Sequence, residues 1–190
     1  MSVICAAQKD GIIAIAGDSQ LNFGSLTVSP KHLKHSEKFV TIGNNIIGIV
    51  GWTAISTIIE HLAITDKKIF NLKNRQEIFS TLLKLQEKLK DDFYIETNED
   101  DDQPVESNQL DAIIINRNGI FEIGSYREVY EYNNFWAIGS GRKFSLGAMN
   151  ALYESKATAE DIVKAGVEAA IEFDDSCGAP ITVRTLDLAK

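Results

Sequence analysis

The sequence predicts an α+β fold in which two antiparallel β-sheets stack face to face with helices on the outside. Three observations carry the prediction. Short apolar runs come in pairs joined by tight-turn signals, at Asp10-Gly11, Gly43-Asn44-Asn45 and Asn116-Arg117-Asn118-Gly119. Longer segments whose apolar residues recur three and four apart stand in two separate blocks along the chain. One further apolar run follows the last helical segment. Helices segregated in this way from antiparallel pairs belong on the outer faces of the sheets.

The bulk composition narrows the class. A chain of 190 residues suits one domain, spanning 1–190, with a substantial core. A hydrophobic content of 44% and a charged content of 24% are those of a globular protein. The net charge of −8 argues against a general nucleic-acid surface. No apolar run reaches the ~18–20 residues of a membrane span. The N-terminus has no basic n-region, so neither a signal peptide nor membrane insertion is expected. Cys5 and Cys177 make no disulfide framework and read as reduced thiols of a cytoplasmic protein. No cofactor or metal is expected. His32 and His35 are a lone pair among lysines, and Gly139 and Gly141 make GxG with Phe144 at the third glycine position of a dinucleotide fingerprint.

The elements follow in order. Residues 3–7 and 12–16 are apolar strands, and the second ends in Gly17-Asp18-Ser19. The Met–Ser start predicts no propeptide and leaves Ser2 as the N-terminus once Met1 is trimmed. Its α-amine, with a pKa of about 7.7–8.0, can serve as general base for its own hydroxyl. Residues 20–30 read as a polar loop. Lys38 opens a strand at 39–42, where a lysine ordinarily reaches out to solvent. The strand at 46–50 ends at Gly51. Helices follow over 52–65 (Ile55, Ile58, Ile59, Leu62) and 74–93 (Ile78, Leu82, Leu85, Leu89), with stripes that suit core packing. The acidic stretch 96–109 is an insertion expected to be solvated and mobile. Residues 110–116 and 119–124 form a third hairpin, and the aromatic-rich 129–136 leads into a further strand. Gly139-Ser140-Gly141 is a strand-to-helix turn before a helix at 142–153. Thr158–Asp161 is close to a capping box and opens a helix that ends near 173. Asp174–Ala179 is an acidic turn, and 180–186 closes the chain as a strand.

The joint order of Ser2, Asp18, Lys38, Gly51, Gly139-Ser140-Gly141 and Asp174–Ala179 resembles the proteasome β-subunits and HslV-like peptidases, which are N-terminal-nucleophile hydrolases. The phrases GIFEIGSYREVYEY, FWAIGSG and FDDSCGAP are most similar to bacterial proteasome homologues. The resemblance implies a four-layer αββα sandwich. It implies Ser2 as nucleophile in the position of the family's threonine. Asp18 and Lys38 then tune the site, the Gly51 N–H holds the oxyanion, and Ser140 and Asp174 orient the amine. Cys177 takes a serine position, with Ser176 as substitute if the turn shifts by one. Ser19, Gln20, Ile49 and Trp52 are implied to contact substrate, and Trp52 stands where many members have a small residue. The implied partners are a protein or peptide substrate, further copies in a homo-oligomeric ring, and an ATPase unfoldase. Two alternatives stay open at this point. One is a catalytically silent assembly or binding subunit, and the other is a small-molecule amidase on the same fold.

Overall fold

The computed structural model describes residues 2–189. The expected removal of Met1 therefore concerns a residue outside that range. The apolar runs at the N-terminus become β1 (Val3–Lys9) and β2 (Ile12–Gly17). They are apolar at nearly every position because both of their faces are covered. On one face Ile4, Ala6, Ile13 and Ile15 meet the second sheet. On the other, Val3, Cys5, Ala7, Ala14 and Ala16 meet helices. A strand buried on both faces has no polar side, so it shows a continuous run rather than alternation.

The chain continues through β3 (Leu21–Phe23), β4 (Leu26–Val28), β5 (Phe39–Ile42) and β6 (Asn45–Val50). Then come α1 (Thr53–Thr65), α2 (Arg75–Asp91), β7 (Asp111–Asn116) and β8 (Gly119–Ile123). β9 (Val129–Tyr132), β10 (Phe135–Gly139), α3 (Arg142–Tyr153), α4 (Ala159–Phe173) and β11 (Thr182–Asp187) complete it. One sheet runs β10-β1-β2-β11 and the other β5-β6-β7-β8-β9, with every pairing antiparallel. Helices α1 and α2 cover the five-stranded sheet. Helices α3 and α4 cover the four-stranded one, giving the expected αββα layers.

Local chemistry fixes the helix starts. Asn74 caps α2, its Oδ1 accepting from the N–H groups of Gln76 at 3.1 Å and Glu77 at 3.0 Å. Thr158 and Asp161 form a reciprocal capping box on α4, with bonds of 3.2 Å and 2.9 Å.

Three expectations need correction. Residues 20–30 are not a plain loop but carry the β3–β4 hairpin, whose three-residue strands are too short to show alternation. The aromatic run at 129–136 supplies two strands in different sheets, β9 and β10, and Tyr132 stacks on Trp136 at 4.5 Å where the chain crosses over. The acidic insertion has no regular structure, yet it is tied down. Thr97, Ser107 and Asn108 are buried. Ser107 N–H donates to Thr97 O at 2.9 Å, Asn108 N–H to Ser125 O at 2.8 Å, and Gln86 Nε2 to Ser107 O at 3.1 Å. Its carboxylates face solvent while its backbone is held from beneath.

Candidate active site

The site forms where β1 and β2 enter one end of the sandwich. Asp18 leaves the end of β2 with a carboxylate that is wholly buried. A buried charge is tolerated only when it is paired and hydrogen-bonded, and here four donors converge. Oδ1 accepts from Val3 N–H at 3.0 Å and from Lys38 Nζ at 2.6 Å. Oδ2 accepts from the N–H groups of Gln20 and Gly178, both at 3.1 Å. Asp18 thus joins the start of β1, the approach to β5 and the turn after α4. Lys38 stands one residue before β5 and is held there by Ile49 N–H, which donates to its carbonyl at 3.0 Å. Its side chain is directed to Asp18 and not to open solvent, with 15% exposed.

Ser2 is buried directly before β1, whose next residue, Val3, pairs with Gly139 of β10. That pairing brings in Ser140, whose hydroxyl donates to the Ser2 carbonyl at 3.4 Å. Ser140 also meets Asp174 at the end of α4. Burial alone would raise the Asp174 carboxyl. Hydrogen bonds from Ser176 N–H and from the side chains of Ser140, Cys177 and Ser176 outweigh it and hold the group below its ordinary value. Cys177 is pushed up to about 12, first by burial and then by the charges of Asp18 and Asp174. It is a protonated thiol and acts as a donor to Asp174.

Gly51 directly follows β6 with φ of +96°, a conformation that side chains resist, and nothing lies within 4 Å of where a Cβ would be. Open space therefore stands before its backbone. A cleft of about 480 Å³ begins there, lined by Gly51, Trp52, Glu99, Asp111 and Ser125 among others. Trp52 is 73% exposed on its wall. Desolvation, followed by the neighbouring Glu99 charge, raises the Asp111 carboxyl above its ordinary value.

The structure thus brings Ser2, Asp18, Lys38, Ser140, Asp174 and Cys177 into one linked cluster and sets Gly51 and Trp52 on an open cleft. The other three residues read as substrate contacts are differently placed. Ser19 is buried and its N–H donates to Gly178 O at 2.9 Å. Ile49 is buried on the helix side of β6 with Ile55 and Ile59. Gln20 is half-buried and lays its side chain on the turn after α4, its Nε2 donating to Asp175 O at 2.8 Å. The sequence does not reveal Gly178 as a partner of Asp18, Asn22 beside Gln20, or Glu99, Asp111 and Ser125 in the cleft. Spacing by two between Gln20 and Asn22 was the one available sign, since such residues share a face of an extended chain.

Comparison with known proteins agrees with this arrangement. The family model described as "Proteasome subunit" matches residues 1–183. The ATP-dependent protease subunit HslV of Rickettsia prowazekii (strain Madrid E) is 30% identical over 169 residues, covering 85% of this chain and 81% of that protein. HslV of Desulfovibrio desulfuricans is 27% identical over 190 residues, with 97% of each chain covered. Among solved structures, Thiobacillus denitrificans BPH in complex with epoxomicin superposes with a TM-score of 0.90 at 31% identity, covering 99% of this chain and 100% of that one. HslV from Trypanosoma brucei shares the fold with a TM-score of 0.72 at 20% identity, over 97% of this chain and 99% of that one. This chain belongs to the proteasome subunit family, the peptidases of the N-terminal-nucleophile hydrolase fold.

Proposed function

We propose that the protein hydrolyses peptide bonds with Ser2 as nucleophile after Met1 is removed. The observation that carries the reading is the Asp18 carboxylate, which binds Val3 N–H and Lys38 Nζ at once and so sets a buried ion pair directly beside Ser2. The free Ser2 amine takes the proton from the Ser2 hydroxyl as Oγ attacks the scissile carbonyl carbon. The Lys38 ammonium favours the negative charge that grows on Oγ. The Gly51 N–H receives the oxyanion, a contribution on the order of 10²–10³ in rate for one such donor. The amine then passes its proton to the leaving nitrogen as the C–N bond breaks, which leaves an ester on Ser2. Water, activated by the same amine, cleaves the ester and restores the hydroxyl. Ser140 and Asp174 orient the amine throughout.

Residues 1–190 act as one domain in this reading, working in the cytoplasm. The relatives' designation as ATP-dependent protease subunits supports assembly of several copies into a ring, with an ATPase as partner. No helix among the described residues is long and apolar enough to cross a membrane. The test is Ser2→Ala in the full chain, assayed on fluorogenic peptide amides. Loss of hydrolysis with an unchanged melting temperature supports the mechanism, and retained hydrolysis refutes it.

A further inference from the structure

The hairpin that the sequence hid leaves two amide side chains, Gln20 and Asn22, facing the turn between α4 and β11. Gln20 Nε2 donates to the Asp175 carbonyl at 2.8 Å and to Asn22 Oδ1 at 3.1 Å. Asn22 Nδ2 donates to the Ser176 carbonyl at 3.5 Å. The Gln20 side chain lies flat over Gly178, where an added Cβ would stand 2.2 Å from Gln20 Oε1. The two segments are joined a second time through Asp18, whose Oδ2 accepts from Gln20 N–H and Gly178 N–H. The turn so clamped is the one that carries Asp174 and Cys177 to Ser140, next to Ser2.

We infer that Gln20 and Asn22 are positioning residues that hold the 174–178 turn by its carbonyls and thereby fix where the Asp174 carboxylate stands relative to the Ser2 amine. The inference rests on the proposed role of Ser2. The titratable and charged groups gathered at this end are Asp18 after β2, Lys38 before β5, Arg142 on α3, and Asp174, Asp175 and Cys177 after α4. Of these, Asp174, Asp175 and Cys177 lie on the clamped turn; the Asp174 backbone is held by α4 through its N–H to Ala170 O at 2.8 Å, and its carboxylate is tied to the clamp through Ser176 N–H, which donates to Oδ1 at 2.9 Å. A nearby carboxylate favours the ammonium form of the amine, so it raises the amine's pKa. Loosening the turn withdraws Ser176 N–H from Oδ1 and lets the Asp174 carboxylate swing away, which lowers that pKa and moves the acidic limb of the kcat/KM profile to lower pH. Misplacement of the base also lowers kcat. A residue that merely touched substrate would raise KM and leave the limb where it was.

The experiment is a pH profile of peptide-amide hydrolysis for Gln20→Met and Asn22→Ala in the full chain, with melting temperatures measured alongside. Methionine keeps the bulk over Gly178 and removes the donor. The expected result for Gln20→Met is a fall in kcat of about tenfold, KM within about twofold, and a limb lower by about half a pH unit. Asn22→Ala moves the same way by less, and it carries the test alone if Gln20→Met does not fold. Unchanged kcat and limb in an active protein overturn this inference and leave the proposed function standing. A raised KM with unchanged kcat also overturns it and makes Gln20 a substrate contact. A lower kcat with an unshifted limb and a reduced melting temperature reduces the clamp to a structural role. A wild-type protein with no hydrolysis and no labelling at Ser2 overturns the proposed function, and this inference with it.

Discussion

Replacing Lys38 with methionine leaves the Asp18 carboxylate buried without its cation. Removing one partner of a buried pair costs roughly 3–5 kcal/mol when the remaining charge stays dry. Lys38 keeps 15% of its side chain exposed, so some water already reaches the pair. The N–H groups of Val3, Gln20 and Gly178 also stay on the carboxylate. Both facts place the cost at the low end, about 3 kcal/mol. At ~2–4 °C per kcal/mol for a domain of this size, the melting temperature falls by ~6–12 °C. Because the pair is buried, the loss persists in high salt, unlike that of a surface pair. On the proposed mechanism activity falls further than stability, because the ammonium assigned there to favour the Ser2 alkoxide is gone. A drop in kcat on the order of 10²-fold is expected. Thermal denaturation at two salt concentrations and hydrolysis of a peptide amide read both effects. A melting temperature within about 2 °C of wild type, with kcat within about threefold, would refute the reasoning that this pair organises the site.

Three further outcomes follow from the same geometry. Gly51→Ala forces a side chain into φ of +96° and disturbs the backbone that the proposed mechanism uses for the oxyanion, so kcat falls on the order of 10²-fold at a stability cost of about 1–2 kcal/mol, both measurable by kinetics and melting. Cys177→Ser keeps a donor to Asp174 and retains activity within about threefold. Cys177→Ala lacks that donor and lowers kcat by about tenfold, and equal activities of the two variants would contradict the donor role. Asp174 titrates below its ordinary value in the folded protein, so its contribution to stability is full above the unfolded carboxylate pKa of about 3.9. That contribution is lost only as pH falls through the lower folded value. Denaturation midpoints compared between wild type and Asp174→Asn should therefore differ at pH 6 and converge in strong acid.

Much of the fold was legible because its elements are long or strongly patterned. α2 shows Ile78, Leu82, Leu85 and Leu89 on one stripe, and all four are buried. The Asp10-Gly11 turn specifies its hairpin locally. What escaped depends on distant partners. The acidic insertion looks solvated by composition, and it takes Gln86, Ser125 and Arg127, outside the segment, to reveal that its backbone is held. The crossing at Asn133-Asn134 needs both sheets in place before one aromatic run divides into two strands. At the site, Asp18 and Lys38 were found through resemblance and not through any local pattern, since the pair joins residues on different strands. That Gln20 also reaches the turn after α4 is not legible locally, because its partner Asp175 lies 155 residues away. Trp52, by contrast, sits on the cleft as its position beside Gly51 implied.

The most direct test of the central claim is the intact mass of the purified protein before and after exposure to epoxomicin, the compound held by the related Thiobacillus denitrificans BPH. A working N-terminal nucleophile predicts loss of Met1 and a single adduct that maps to Ser2 and disappears in Ser2→Ala. A retained Met1, or a free Ser2 that stays unlabelled, would contradict the account and leave the ion pair of Asp18 and Lys38 as a structural feature.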